Sequence, residues 1–194
     1  MDRERLVDDL TALVRIPSVT GSEEAIAAWT AEALRDLGLA VEIVTPDPTA
    51  VRADPDWPGE EMPRTALPVV VGRAGRARGR RLILSGHLDV VPPGDPDTWT
   101  VDPWGAEIRD DALYGRGACD MKGGVAAILA AVRALAATGD LDRLDGELLV
   151  AFVPSEEDGG QGTLAAIRAG ATGDLCVIPE PSNLDIVVAH AGAI

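Results

Sequence analysis

The chain has 194 residues, 46% of them hydrophobic and 25% charged, and its 32 acidic against 17 basic side chains leave a net charge of −15. That length buries one sizeable core, and the acidity repels phosphate backbones and anionic membrane surfaces, arguing against nucleic-acid and membrane partners. The sequence has no run of 18 or more uncharged apolar residues to span a bilayer, the charged start Met1–Leu6 is no secretory signal, and two cysteines, Cys119 and Cys176, make no disulfide framework, so a reducing, cytoplasmic setting is expected.

Residues 2–14 read as an amphipathic helix with Leu6, Leu10, Leu13 and Val14 on one side, stopped before Ile16-Pro17. Thr20-Gly21-Ser22-Glu23 fits a capping box opening a second helix, whose apolar stripe is Ile26, Trp29, Ala33, Leu34 and Leu37 and which Gly38 closes. Val41 to Thr45 is a predicted strand. Six prolines between Pro46 and Pro68 make that stretch a loop or edge insertion without chemistry, with Trp57 as its candidate anchor. Val69–Val71 and Leu82–Ser85 are buried strands, joined by a basic turn, Arg73 to Arg81, that reads as a solvated hairpin tip. A polar loop with Trp99 and Trp104 leads to a strand pair around Ile108 and Leu113-Tyr114, turned at Asp110-Asp111. Val125 to Ala137 is apolar on nearly every face and predicts a helix sandwiched inside the molecule. Leu148–Val153 and Leu175–Ile178 are continuous apolar strands of the kind covered on both faces, with a helix over Thr163–Ala169 between them. The alternation indicates a layered α/β fold. After the apolar run Ile186–Ala189 the chain closes on Ala191–Ile194 without a polar tail, which suggests one piece of a longer protein.

Four acidic or imidazole motifs stand where buried strands run out: Leu82–Asp89, Gly117–Gly124, Val150–Glu157 and Val177–Pro181. In an open α/β sheet, ligands bind beyond the carboxyl ends of the strands, so such groups become neighbours. His87 and Asp89, at i and i+2, point to one side of an extended chain. There a carboxylate can fix the tautomer of a metal-binding imidazole, although taken alone the pair reads more readily as a surface contact. Asp120 opens the buried helix and could simply cap it, while Gly115/Gly117 and Gly123/Gly124 permit close backbone approach. A dinucleotide reading fails because Asp120 stands where a third small residue is needed and would repel a pyrophosphate. Glu156 and Glu157, adjacent beyond a buried strand, are two like charges that push one pKa up. A cation resolves that conflict, one carboxylate ligating and the other carrying protons. Glu180, between two prolines, is held in a turn, where a plain surface glutamate is the competing reading.

Together, Ser85–Pro92, Leu113–Gly124, Ser155–Glu157 and Glu180–Ser182 resemble the metal-dependent amidohydrolases and peptidases that include acetylornithine deacetylase, succinyl-diaminopimelate desuccinylase, aminoacylase and the glutamate carboxypeptidases. The resemblance implies a zinc-peptidase-like three-layer α/β domain, with a mostly parallel mixed sheet and helices on both faces. It implies two divalent metal ions, zinc with cobalt or manganese as alternatives. It further implies that His87 binds one ion, Asp120 bridges both, Glu157 binds the other, and Glu180 shares the ion of His87. Glu156 is implied as general base and Asp89 as the carboxylate orienting His87, and the peptide after the bridging aspartate is often cis. The implied reaction cleaves the amide of a small N-acyl amino acid. A carboxypeptidase or dipeptidase of the same family, or an inactive metal-binding fragment, is the alternative. The family has a further histidine ligand and a lid domain that often dimerises. His190 resembles the stretch leading into that lid, so residues 1–194 correspond to the N-terminal part of the catalytic domain. Weak zinc binding and little activity are therefore expected of this segment alone.

Overall fold

The computed structural model describes residues 2–182. Asp2 caps the first helix, α1 (Arg3–Arg15), by accepting the Arg5 N–H at 3.1 Å. The helix buries Leu13 and Val14 and ends where Ile16 turns extended ahead of Pro17. The second helix, α2 (Glu24–Asp36), buries Ile26, Ala31 and Leu34. The expected capping box does not form. Thr20 donates its hydroxyl to Asp89 at 3.1 Å, and Glu23 accepts from Gly21 N–H at 2.9 Å and from Arg64. Distant partners have claimed both side chains.

Among the described residues seven strands follow in chain order: β1 (Ala40–Val44), β2 (Val69–Gly75), β3 (Arg81–His87), β4 (Glu107–Arg109), β5 (Ala112–Tyr114), β6 (Glu147–Val153) and β7 (Leu175–Val177). Five form one mixed sheet in the order β1-β2-β6-β3-β7, while β4 and β5 pair as the separate ribbon expected around Asp110-Asp111. β1 and β2 run antiparallel, as do β2 and β6, whereas β6, β3 and β7 are parallel to one another. β6 is buried at every residue, and its side chains alternate between two cores. Leu148, Val150 and Phe152 join Leu13, Ile26 and Leu129 beneath α1, α2 and a helix α4 (Gly123–Ala137). Leu149, Ala151 and Val153 join Val51 and Ala165 beneath the short α3 (Pro48–Arg52) and α5 (Gln161–Arg168). Helices thus cover both faces, and each fully buried Leu, Ile or Phe contributes roughly 1.5–3 kcal/mol.

Four expectations change. β2 and β3 are not a hairpin, because β6 lies between them and pairs with both; Arg73 and Arg81 meet across it on Glu147. Burial alone would raise the Glu147 carboxyl, but hydrogen bonds from these two guanidiniums carry it below its ordinary value. α4 is buried on the faces toward α1 and the sheet, yet Ala127, Ala131 and Ala134 face outward. Alanine reads as apolar but is small enough to stay in water. β7 has only β3 beside it among the described residues, and Leu175, Val177 and Ile178 are exposed rather than covered on both faces. Trp57 is exposed, and the buried residues of the proline-rich stretch include Leu67 and Arg64 instead. No described helix is long and apolar enough to cross a membrane, and Cys119 and Cys176 are free and exposed.

Candidate metal centre

The backbone just beyond β3 stays extended. Leu88 donates its N–H to Val153 at 2.8 Å, Val90 to Ser18 at 2.9 Å, and Thr20 to Val90 at 3.1 Å, so residues 18–20 lie along residues 88–90 as an added short strand. His87 ends β3, 2% exposed, over the buried Met121. Its Nδ1 lies 2.8 Å from the Asp89 carbonyl oxygen. A carbonyl can only accept, so Nδ1 carries the proton and Nε2 is directed outward. From there Nε2 is 3.0 Å from Asp120 Oδ1 and 3.8 Å from Glu180 Oε1.

The expected role of Asp89 shifts accordingly. It is the carbonyl of Asp89 that orients His87, the carboxylate oxygen standing 3.7 Å from Nδ1. The fully buried carboxylate accepts the Glu156 N–H at 3.0 Å, the Glu157 N–H at 3.1 Å and the Thr20 hydroxyl at 3.1 Å. Asp89 therefore ties the end of β3 to the turn after β6, and sequence spacing alone pointed only to its neighbour.

Asp120 is not a helix cap. It sits in a five-residue π-type turn, Ala118–Lys122, with extended φ −118° and ψ 103°, and α4 begins three residues later. The Asp120–Met121 peptide is cis, as the resemblance implies. What the glycines admit is a close neighbour, backbone at Gly124 and a side chain at Gly117. A Cβ on Gly124 would fall 2.4 Å from the Pro179 carbonyl oxygen, and one on Gly117, at φ +77°, 2.4 Å from Val90 Cγ1. Gly124 lets the Glu180 turn close against the Asp120 turn, so Gly124→Ala should push Glu180 away. The expected outcome is a zinc dissociation constant raised roughly 10-fold or more, as for lost orienting contacts, measured by competition with a chelating dye.

His87, Asp120 and Glu157 each offer a donor atom, all within 4.8 Å of one another, and Glu180 closes the group from β7. Burial, followed by the charge of Asp120, raises the Glu157 carboxyl above its ordinary 4.5. Burial also raises Glu180, opposed by His87 and reinforced by Asp120. For His87, burial disfavours the cation, but the Asp120 hydrogen bond and the charges of Asp89, Glu180 and Glu156 outweigh it, and its pKa lies above 6.5. Carboxylates forced together around one imidazole, with the imidazole proton locked on the far nitrogen, are a donor set matched to a divalent cation.

Sequence reasoning missed Thr20 and Lys122. Lys122 is fully buried, donates Nζ to the Ile16 carbonyl at 2.9 Å and stands 5.7 Å over the Trp104 ring; burial pushes its pKa down to about 8. A lysine opening an apolar helix was the available signal. His190 and the run 186–189 lie outside the described residues.

A succinyl-diaminopimelate desuccinylase of Gluconacetobacter diazotrophicus is 38% identical over 181 residues, which cover 89% of this chain and 42% of that protein. The chain thus spans about two-fifths of the length of the curated relatives it matches. Among solved structures, human carnosine dipeptidase 1 is similar with a TM-score of 0.69 at 26% identity, over 91% of this chain and 38% of that one. An M20 family metallo-carboxypeptidase of Sulfolobus solfataricus shares the fold with a TM-score of 0.70 at 20% identity, over 92% of this chain and 37% of that one. The profile of peptidase family M20/M25/M40 matches residues 83–191, a span that takes in His87, Asp89, Asp120, Glu156, Glu157 and Glu180. Since that span is more than half of the sequence, the chain belongs to peptidase family M20/M25/M40.

Proposed function

We propose that the chain carries the metal-binding catalytic part of a hydrolase that cleaves the amide of a small N-acyl amino acid, of the succinyl-diaminopimelate or acetylornithine type. The observation that supports this most directly is the convergence of His87, Asp120, Glu157 and Glu180 from three parallel strands and one turn. In this reading His87 and Glu180 would hold one ion and Glu157 the other, with Asp120 available to both. Mixed imidazole and carboxylate donors favour zinc, with cobalt or manganese as substitutes. When bound, such a metal pair supplies Lewis-acid polarisation and lowers the pKa of water toward neutrality.

The chain's own residues supply proton movement and placement. Glu156 takes the proton of the water that adds to the carbonyl carbon, then delivers it to the amine nitrogen as the C–N bond breaks. The products are the acyl carboxylate and the free amine. Asp89 holds the main chain of Glu156 and Glu157, and its carbonyl fixes the imidazole. A second reading, a dipeptidase or carboxypeptidase, is favoured by the likeness to carnosine dipeptidase and the metallo-carboxypeptidase. The dimer implied by the resemblance and a cytoplasmic setting belong to the same proposal.

The test uses the complete gene product with zinc, offered N-succinyl-diaminopimelate, N-acetylornithine and simple dipeptides. Preferred hydrolysis of the first two supports the acyl reading, preferred hydrolysis of the dipeptides the second, and no turnover of any defeats both. Metal binding has its own pH signature. His87, Glu157 and Glu180 all have raised pKa values, so the metal-free protein holds their protons above pH 6.5 and 4.5 respectively, and a cation must displace them. The rise in Tm on adding zinc should therefore grow as pH increases from 5 to 8, followed by scanning calorimetry. A rise that is constant across that range removes these groups from the metal site.

A further inference from the structure

The proline-rich stretch carries no motif, yet it packs on the turn that presents both catalytic-site glutamates. Arg64 reaches in from it, 5% exposed. One nitrogen of its guanidinium donates to both carboxylate oxygens of Asp158 at 3.0 Å, and another donates to Glu23 Oε1 at 3.2 Å. Asp158 also accepts the Met62 N–H at 3.2 Å and the Ser155 hydroxyl. Ser155 directly precedes Glu156 and is held at φ +63°, a left-handed conformation that a serine keeps only where its surroundings fix it. Its carbonyl accepts the Gly160 N–H at 2.6 Å, closing the turn. Glu60, from the same stretch, binds Arg52 at 2.7 and 3.1 Å and accepts from Gln161 at 3.2 Å, just beyond the turn.

The Glu156–Glu157 turn is thus gripped from two sides. Asp89, itself braced by the Thr20 hydroxyl, holds its amides from the β3 side, and Arg64 and the Met62 N–H hold its Asp158, and through Asp158 its Ser155, from the proline-rich side. Glu23 and Asp158 are buried carboxylates on either side of Arg64, and without a cation between them they would drive each other apart. Only a planar guanidinium presents donors in a fixed fork to two such partners at once; an ammonium is a point charge.

We propose that Arg64 is a positioning residue, setting through Asp158 and Ser155 the place of Glu156 as proton carrier and of Glu157 as metal ligand. This rests on the functional reading above for Glu156, but its effect on Glu157 is measurable without turnover. The experiment compares Arg64→Lys and Ser155→Ala with the wild-type complete gene product, each confirmed as folded by circular dichroism and thermal melting. We expect kcat to fall roughly 10- to 100-fold in Arg64→Lys, the scale of an ångström-sized misplacement, with KM changed less than about 2-fold. Ser155→Ala, which keeps the charges but cuts the link to Asp158, should fall in the same direction. Cobalt-loaded Arg64→Lys should also show an altered visible absorption spectrum and roughly 10-fold weaker cobalt binding. A folded variant pair with wild-type kcat and an unchanged cobalt spectrum overturns the proposal and leaves Arg64 a structural ion pair. Should wild type turn over none of the substrates, the functional reading fails, while the cobalt titration still decides the role of Arg64. Should Arg64→Lys fail to fold, Ser155→Ala decides it.

Discussion

Glu156→Gln in the complete gene product is expected to lower kcat by roughly 10²–10⁴-fold, the usual contribution of a positioned proton carrier, with its metal content unchanged. Glutamine has nearly the same shape but cannot accept a proton from water or return one to the amine. The turn itself should survive, because it is held by the main-chain N–H groups of residues 156 and 157 on Asp89, which the substitution does not touch. Metal analysis by plasma mass spectrometry alongside initial rates separates the two roles open to this residue. A variant that loses metal makes Glu156 a ligand, and one that keeps full activity moves the proton carrier elsewhere.

Arg64→Met should be the most damaging single change to the fold. It leaves Glu23 and Asp158 buried without their cation, a loss of about 3–5 kcal/mol for a broken buried pair. At roughly 2–4 °C per kcal/mol for a chain of this size, Tm should drop on the order of 10 °C. The loss should also depend on pH. The Glu23 carboxyl is already raised, chiefly by burial, against the lowering effect of Arg64, so removing Arg64 raises it further. A raised carboxyl binds its proton more tightly in the folded than in the unfolded state, so the variant regains stability as pH falls toward the ordinary glutamate value of 4.5. Replacing Glu23 and Asp158 by apolar residues in the same variant should restore much of the loss. Denaturant melts at pH 5 and pH 8 measure both effects, and a deficit equal at the two pH values argues against buried carboxylates as its source.

The parts legible in the sequence are those written locally. The apolar side and proline stop of α1, the apolar runs of β3 and β6, and the charged residues at their ends sit within a few positions of the features that announce them. His87, Asp120, Glu157 and Glu180 could be gathered into one place because strand ends in such a sheet share an edge. What could not be read depends on partners distant in the chain. Thr20 looks like a helix cap until Asp89, 69 residues later, takes its hydroxyl. Arg64 is one basic residue among prolines until Asp158 comes within 3.0 Å from 94 residues away. β2 and β3 look like a hairpin because the turn between them is short, and only the more buried β6, arriving much later, separates them. Alanine hid the outward face of α4, since hydrophobicity without bulk does not report burial.

β6, β3 and β7 run parallel side by side, and each ends near a donor to the candidate centre. Adjacent strands in any sheet lie about 4.8 Å apart, close to twice the roughly 2.0–2.2 Å at which zinc meets nitrogen or oxygen. The sheet is therefore a ruler whose gradations suit a cation before a single side chain has been refined. Loops and turns need only supply the final ångström of adjustment, which is where proteins built on this plan have the most room to diverge.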